Sequence, residues 1–171
     1  VTAHERFLSG KPGGKRASLR FLDLSRLELS GRNLTDADLS ASILDGARMI
    51  RTNLERANLF GCDLRKADLR GAILKRADVR GCCLRGANMT MADLTQADFR
   101  EGQIATPHPT KGLSMLSHQA RMGEADGAIF VGATLDGSKF NGASAFAADF
   151  TDCSLKGARL TGCNLKDANL S

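Results

Sequence analysis

The stretch ANLFGCDLRKADLRGAILKRADVRGCCLRGANM, residues 57–89, decides the fold because it places a large apolar residue at every fifth position. These residues are Leu59, Leu64, Leu69, Leu74, Val79, Leu84 and Met89. An amphipathic helix repeats its apolar face about every 3.6 residues, and a half-buried strand repeats about every 2 residues. A period of five fits neither element, so the chain must fold around a different backbone repeat.

The five-residue period extends over most of the chain. It runs from Leu19 to Ile104 and again from Phe130 to Leu170, which gives 27 central positions, 18 of them Leu and 4 of them Phe. The residue two positions before the centre is Ala in 16 units and Cys in 4. The residue directly before the centre is Asp or Asn in 14 units, and residues typical of solvated turns follow the centre. Two inward and three outward residues per unit predict a solenoid, in which each unit forms one side of a coil.

Units such as ANLFG (57–61), CDLRK (62–66) and ADLRG (67–71) resemble those of the pentapeptide-repeat family. The resemblance implies an all-β fold, a right-handed quadrilateral β-helix with four units per coil. Residues 20 positions apart would then stack on one another. The 27 units would make just under seven coils, and at about 4.8 Å per coil the solenoid would be roughly 32 Å tall.

Departures from the period divide the chain into four parts. These are an N-terminal cap, two stretches of β-helix and an insertion between them, at residues 1–16, 17–104, 128–171 and 105–127 respectively. We expect Thr2 to N-cap a short helix through Leu8, which would cover the first coil. Within the insertion we expect an extended or turning segment, TPHPT (106–110), and a short helix between Leu113 and Met122.

Composition and cysteine usage indicate the broad class of the protein. A chain of 171 residues can form one domain with a continuous core, and aromatic residues make up only 5% of it. The core is therefore expected to consist of Leu and Ala. No apolar run has the length of a membrane span, no signal peptide is apparent, and five Cys without ligand spacing favour a reducing, cytoplasmic location. The uncapped end after Leu170 predicts a flanking domain of a larger protein or an end-to-end dimer.

The cysteines allow two interpretations. Cys62 and Cys82 would be neighbours on one inward ladder, which fits either a redox pair or half of a metal site, but Cys also replaces Ala as a small core residue. We favour the core role. Cys83 occupies an outward position and is the one thiol expected to be reactive.

Charge separates the chain from the best-known members of the family. Members that protect DNA gyrase from quinolone drugs are interpreted as mimics of duplex DNA, which requires a strongly acidic surface, whereas this chain has a formal net charge of +5. Basic residues concentrate between positions 65 and 85, and several of them, such as Arg80 and Arg100, would stack one coil apart. An acidic protein surface or anionic lipid head groups are possible partners. Nucleic acid is disfavoured because no aromatic residues interleave with the basic ones.

Catalysis has little support in the sequence. It contains no set of nucleophile, base and orienting residue, and His108 and His118 have no third metal ligand at a useful spacing. We therefore expect no cofactor and a non-enzymatic rigid scaffold or protein-interaction module, with an unidentified protein as partner. The alternatives are a topoisomerase-interacting protein of the quinolone-resistance type and an electrostatic binder of an anionic surface. The candidate partner-binding residues are Arg65, Arg70, Lys75, Arg76, Arg80, Arg85, His108, Met115 and His118.

Overall fold

Parallel β-bridges join successive coils at the residue before each central position. The computed structural model describes residues 1–102, 105–108, 112–115 and 123–171. Ser18 pairs with Asp38, Asp38 with Asn58, and Asn58 with Asp78, so each ladder advances by 20 residues per coil. Four such ladders form a right-handed quadrilateral β-helix, which confirms the predicted fold.

The four sides of the helix are named by their central residues. Face 1 carries the centres Leu19, Leu39, Leu59, Val79, Phe99, Phe140 and Leu160. Faces 2, 3 and 4 follow in chain order and begin with Leu24, Leu29 and Leu34. A four-residue turn joins neighbouring faces. In the turn after Leu34, the amide of Ala37 donates to the carbonyl oxygen of Leu34 (3.0 Å), and Asp36 has a φ of 59°, as the third residue of a type II turn requires.

The outward Asp and Asn residues stabilise these turns. The side-chain oxygen of Asn33 accepts hydrogen bonds from the amide (3.1 Å) and the hydroxyl (2.7 Å) of Thr35. The same arrangement recurs at Asp93 with Thr95. An Asp or Asn before the centre therefore fixes the start of each turn through its own side chain.

The small inward residues close the coil tightly, and their polar atoms bond to the backbone. The Cys62 thiol donates to the carbonyl oxygen of Leu39 (3.0 Å), and the Cys82 thiol donates to that of Leu59 (2.9 Å). Thr52 makes the equivalent bond to Leu29 (2.8 Å). All three side chains are fully buried. Cys62 and Cys82 thus act as small core residues on one ladder.

Four aromatic rings fill the core beyond the insertion. Phe99 stacks on Phe140 with ring centroids 4.1 Å apart, and Phe130 stacks on Phe150 at 4.8 Å. The two stacks meet edge to face, with Phe130 and Phe140 centroids 6.1 Å apart. On face 2 the centres of these coils are Ala125 and Ala145, both buried. Alanine at this position makes room for the phenylalanines on faces 1 and 3, because interiors are close-packed.

A short helix, α1 (Thr2–Leu8), lies against the first coil. Its N-cap is Val1, whose carbonyl oxygen accepts the amides of His4 and Glu5, so the prediction that Thr2 caps the helix was wrong. His4 is buried, and its Nδ1 accepts the Ala17 amide (3.0 Å) while its Nε2 bonds to the carbonyl oxygen of Thr35 (2.9 Å). The predicted helical cap over the first coil is present.

The insertion contains two strands in place of part of the expected helix. β1 (Ala105–His108) pairs antiparallel with β2 (Gly112–Met115). A strand at 112–115 contradicts a helix beginning at Leu113, and the rest of that prediction, residues 116–122, lies outside the described residues.

The β-helix resumes earlier than the sequence predicted. Glu124 pairs with Cys83 in the coil before the insertion and with Ser144 in the coil after it. Ala125 therefore takes the central position that the sequence assigned to Ile104, and residues 123–127 form a side of a coil. The predicted insertion end at residue 127 was wrong, because the bridge and the buried side chain of Ala125 place this segment in the helix.

Candidate functional site

The insertion leaves the helix at Gly102, where face 1 turns into face 2. A Cβ on Gly102 would lie 2.8 Å from Cε2 of Phe60 and 3.2 Å from the carbonyl carbon of Arg80. A Cβ on Gly81 would lie 3.1 Å from Cα of Gly102. The departing backbone thus passes over Gly81 and rests against the Phe60 ring, and glycine at position 102 allows this contact without displacing the ring.

The insertion returns to the helix at Gly123 and Glu124. A Cβ on Gly123 would lie 1.9 Å from the carbonyl oxygen of Phe99, so this position also requires glycine. The Glu124 carboxylate oxygen lies 3.1 Å from Nε of Arg85 on the coil below. The two points where the insertion joins the β-helix, which we call its roots, are therefore held by side chains and backbone of the β-helix.

Arg80 links the first root to the charged surface of face 1. Its guanidinium lies 5.3 Å from the centroid of the Phe60 ring, in cation–π geometry. It also donates to both oxygens of Asp78, with Nε–Oδ1 at 2.9 Å and Nη2–Oδ2 at 2.7 Å. Arg100 makes the same bidentate contact with Asp98 one coil further along. These forks fix the direction of each arginine.

The structure brings together only part of the predicted basic residues Arg65, Arg70, Lys75, Arg76, Arg80 and Arg85, which we call the basic belt. The Arg80 side chain lies along face 1, beside the corner where the insertion leaves. Arg65 and Arg85 lie in the turns from face 2 into face 3, and their side chains pair with Asp63 and Glu124 on face 2. The other three belt residues lie on the remaining two faces or at the corner after them, namely Arg70, Lys75 and Arg76. The belt therefore encircles the helix, and half of it faces away from the insertion.

Most belt residues are paired with carboxylates. Arg65 and Arg70 each donate to both carboxylate oxygens of the Asp two residues before them. Nζ of Lys75 lies 3.0 Å from Oδ2 of Asp93. Arg76 donates from Nε to the side-chain oxygen of Gln96 (2.9 Å). Exposed pairs of this kind contribute at most about 1 kcal/mol each to stability, but they cancel the local charge.

The origin of the net charge is correspondingly different from the prediction. Residues 17–102 and 123–171, which form the coils, contain 18 basic and 18 acidic residues. Residues 1–16 contain four basic residues and one acidic residue, and residues 103–122 contain Lys111 and Arg121 with no acidic residue. The surplus of +5 therefore lies in the cap and the insertion. The coils as a whole carry no net charge, although basic residues outnumber acidic ones between positions 65 and 85.

The pairs with arginine stabilise the ionised form of the carboxyl group, as the pKa of Asp98 shows. Burial raises the pKa of Asp98, but hydrogen bonds from the side chain and backbone of Arg100, with the charges of Arg100 and Lys139, outweigh burial, and the pKa is lowered. A carboxylate with a lowered folded-state pKa stabilises the fold above the ordinary Asp value of about 3.9 and loses that contribution as the pH falls through the folded-state pKa.

We expect Asp98→Asn to weaken the pH dependence of stability below about pH 4, where the wild type loses the ionised Asp98. The free energy of unfolding would be measured by urea titration at several pH values between 2 and 5. Asp167→Asn is the control, because Asp167 forms no ion pair or side-chain hydrogen bond with the described residues. An unchanged pH profile for Asp98→Asn would contradict the assignment.

The thiols do not form an activated site. Burial raises the pKa of Cys83, and the hydrogen bond and charge of Glu124 raise it further. Burial also raises the pKa values of Cys153 and Cys163. Because the thiolate is the reactive form, these environments oppose the reactivity that the sequence predicted for Cys83.

We expect Cys83 to react with iodoacetamide at pH 7.5 more slowly than free glutathione, and Glu124→Gln to accelerate the reaction by lowering the thiol pKa. Alkylation rates at each cysteine would be followed by peptide mass spectrometry. Equal rates for Cys83 in the wild type and the variant would show that Glu124 does not control this thiol.

The remaining predicted residues belong to the insertion. His108 ends β1 opposite Gly112, and Met115 ends β2 opposite Ala105. His118 lies outside the described residues. Within the described ranges, no three His, Cys, Asp or Glu side chains are grouped so that they would hold a metal ion. Nor does any helix of these ranges have the length and apolar composition needed to cross a bilayer.

Sequence reasoning missed the residues that hold the insertion in place. Phe60 is an aromatic residue directly after a centre, where polar turn residues predominate, and Gly102 replaces Ala at a small inward position. Both departures were visible in the sequence. Their contact was not, because it joins residues 42 positions apart along a path that the repeat does not define.

Comparison with known proteins gives a family match. A family model described as pentapeptide repeats matches the chain in eight copies, over residues 15–49, 23–61, 33–71, 52–90, 62–101 and 146–171. None of the curated proteins compared with the chain matches it.

Several solved structures are similar to the chain. A pentapeptide repeat protein from the thylakoid lumen of Arabidopsis thaliana is 28% identical, with a TM-score of 0.47 over 81% of this chain and 71% of that one. HetL from Nostoc sp. strain PCC 7120, involved in heterocyst differentiation regulation, is 27% identical, with a TM-score of 0.33 over 90% and 74%. QnrB1, a plasmid-mediated fluoroquinolone resistance protein, is 18% identical, with a TM-score of 0.31 over 90% and 77%.

Proposed function

Because this chain belongs to the pentapeptide-repeat family, we propose that it is a non-enzymatic protein-interaction module that presents residues 103–122 to a protein partner. The β-helix serves as the rigid support, and the inserted segment with the flanking parts of faces 1 and 2 forms the contact surface. The partner surface would include Arg65, Arg80 and Arg85, whose side chains pair with carboxylates on faces 1 and 2, the two faces that the insertion connects.

The observation that carries this proposal is the double attachment of the insertion. At one root Gly102 rests on Phe60, which in turn lies beneath the Arg80 guanidinium. At the other root Glu124 is bridged to two coils and paired with Arg85. An interaction segment whose ends are fixed on a rigid support loses less conformational entropy when it binds, so more of its contact energy appears as affinity.

Charge supports this function over the two alternatives. Mimicry of duplex DNA requires a strongly acidic surface, whereas the coils contain equal numbers of acidic and basic residues. Binding to an anionic surface requires free cations, whereas the arginines of the belt are mostly engaged by Asp side chains such as Asp68 and Asp78.

Five free cysteines also support a reducing compartment such as the cytoplasm.

The test is cross-linked affinity capture from cells with three baits. These are the wild type, a variant lacking residues 103–123, and a variant with Arg70, Lys75 and Arg76 replaced by Ala. The deletion removes 21 residues and joins Gly102 to Glu124, which restores the 20-residue spacing of the ladders. The triple alanine variant changes the part of the belt that faces away from the insertion.

We expect a protein that the wild type and the alanine variant capture and the deletion variant does not. Capture by the deletion variant at the wild-type level would remove the insertion from the binding surface. Loss of capture in the alanine variant alone would move the surface to faces 3 and 4. If the wild type captured nothing above the background of bare beads, the interaction role would be wrong.

A further inference from the structure

Within the described residues, the first coil has unpaired backbone groups along faces 1, 2 and 3. In every later coil, the residue before the centre donates its amide to the coil below, and its carbonyl oxygen accepts an amide from that coil. Within the described residues, the amides of Asp23 and Glu28 and the carbonyl oxygens of Asp23, Ser25, Glu28 and Ser30 have no such partners. We call this row, along faces 2 and 3 of the first coil, the lower edge.

The cap satisfies the Asn33 amide and the Thr35 carbonyl oxygen on face 4 and leaves the lower edge open. Nε2 of His4 bonds to the carbonyl oxygen of Thr35, and the Glu5 carboxylate accepts the Asn33 amide (3.4 Å) and pairs with Arg32 (3.3 Å). Side chains of α1 therefore take the place of a preceding coil on face 4. No described residue does the same for Asp23 or Glu28.

Two leucines expose apolar surface beside the lower edge. Leu22 and Leu27 occupy small inward positions, where Ala predominates in later coils, and they are 44% and 43% exposed. Phe7 and Phe21 at the same end of the helix are also exposed. The end of the β-helix thus combines free backbone groups with apolar side chains that point into the space a further coil would fill.

Basic residues outnumber acidic ones at this end, although Asp23 and Glu28 lie on the lower edge itself, and four of the basic residues are unpaired. Arg6, Lys11 and Lys15 lie in the cap, and Arg26 lies at the corner between faces 2 and 3. None of these four forms an ion pair with a described residue. A ligand that covers the lower edge would therefore gain from negative charge.

We propose that the lower edge binds an extended acidic peptide segment of a partner protein as an added parallel strand. The hydrogen bonding between coils defines the register. Each large residue of the peptide would donate its amide to the carbonyl oxygen of Asp23 or Glu28, and the residue two positions later would donate to Ser25 or Ser30. The carbonyl oxygen two positions before each large residue would accept the Asp23 or Glu28 amide.

Other occupants of the lower edge are disfavoured by the same observations. A lipid surface would bury the free amides and carbonyl oxygens without hydrogen-bond partners, at a cost of several kcal/mol per group. A second copy of the chain, docked end to end at this edge, would bring Arg6, Lys11, Lys15 and Arg26 against the same cations of its partner. This site is separate from the insertion and does not depend on the function proposed above.

The test uses a fluorescein-labelled peptide with the sequence ANLEEANLEE and the full chain. Asn stands beneath Asp23 and Glu28 to avoid like charges, and the glutamates face Ser25, Arg26 and Ser30. One control peptide replaces every Glu by Lys, and a second carries N-methyl groups on both Leu amides, which removes two donors without changing charge. Binding would be followed by fluorescence anisotropy at low salt, and protection of the Asp23 and Glu28 amides by hydrogen exchange.

We expect saturable binding of the acidic peptide, at least tenfold weaker binding of both control peptides, and slower exchange of the Asp23 and Glu28 amides. Leu22→Ala/Leu27→Ala should weaken binding at least fivefold without loss of fold, because later coils have Ala at the position of Leu27 and small residues such as Cys62 at the position of Leu22. Arg26→Glu should weaken binding, and Arg159→Glu in the last coil should not.

Three results would overturn the proposal. The first is equal affinity for the N-methylated peptide, which would show attraction by charge alone. The second is absence of peptide binding, or binding without protection of the two amides. The third is preferential co-sedimentation with phosphatidylserine vesicles that is lost in Leu22→Ala/Leu27→Ala, which would assign this end to a membrane surface.

Discussion

Deletion of residues 103–123 is expected to give a continuous β-helix, whereas deletion of residues 103–122 is expected to disrupt its last coils. The four bridges that span the insertion, such as Cys83–Glu124, join residues 41 positions apart, whereas all other bridges between coils join residues 20 positions apart. Removing 21 residues restores the regular spacing. Removing 20 leaves one extra residue, which shifts later side chains between the inward and outward positions unless the backbone bulges.

The two deletions differ by one glycine, so each is the matched control of the other. We expect the 21-residue deletion to keep the wild-type circular dichroism spectrum and a Tm within a few degrees of it. The 20-residue deletion should lose about 3 kcal/mol or more of stability, which lowers Tm by roughly 10 °C for a chain of this size. Similar Tm values for the two deletions would show that the coils beyond the insertion are held without a fixed register.

The fold could be predicted almost completely because its determinant is local and repeated. One large and one small inward residue per five are visible in every unit, and stacking at a spacing of 20 follows from four units per coil. The end of the insertion could not be located in this way. Ile104 has the size expected of a central residue and Ala125 does not, but Ala125 fits between Phe99 and Phe130, whose rings fill the space that leucines fill elsewhere.

The sequence predicts that Asp78 and Asp98 partly neutralise the ladder of Arg80 and Arg100, but it does not show how complete the pairing is along the coils. In units such as CDLRK (62–66) and ADVRG (77–81), Asp and Arg are two residues apart and therefore lie on the same side of a strand. The structure shows that they form bidentate pairs, as Asp78 and Arg80 do. The sequence thus contained the signal that the belt is neutralised. The contact between Phe60 and Gly102 depends on the path of the insertion, which no local pattern specifies.

The largest effect of a single substitution is expected at Phe140, which is fully buried and stacks on Phe99. Phe140→Ala should lower the free energy of unfolding by about 3–5 kcal/mol, since it removes a ring from a close-packed core and leaves a cavity. Phe146→Ala is the matched control, because Phe146 is 39% exposed in the same coil, and it should change stability by about 0.5 kcal/mol or less. Urea denaturation with a common m-value would give both numbers.

The same site tests whether Ala145 is small because its neighbours are large. Ala145→Leu alone should destabilise the protein by about 1–3 kcal/mol, as overpacking does in filled cores. In the background of Phe140→Ala the added leucine enters the vacated space, so the double variant should be at least about 1 kcal/mol more stable than the sum of the single effects predicts. Additive effects would mean that the side chains at positions 140 and 145 do not compete for the same space in the core. Close packing would then not explain why Ala accompanies Phe in these coils.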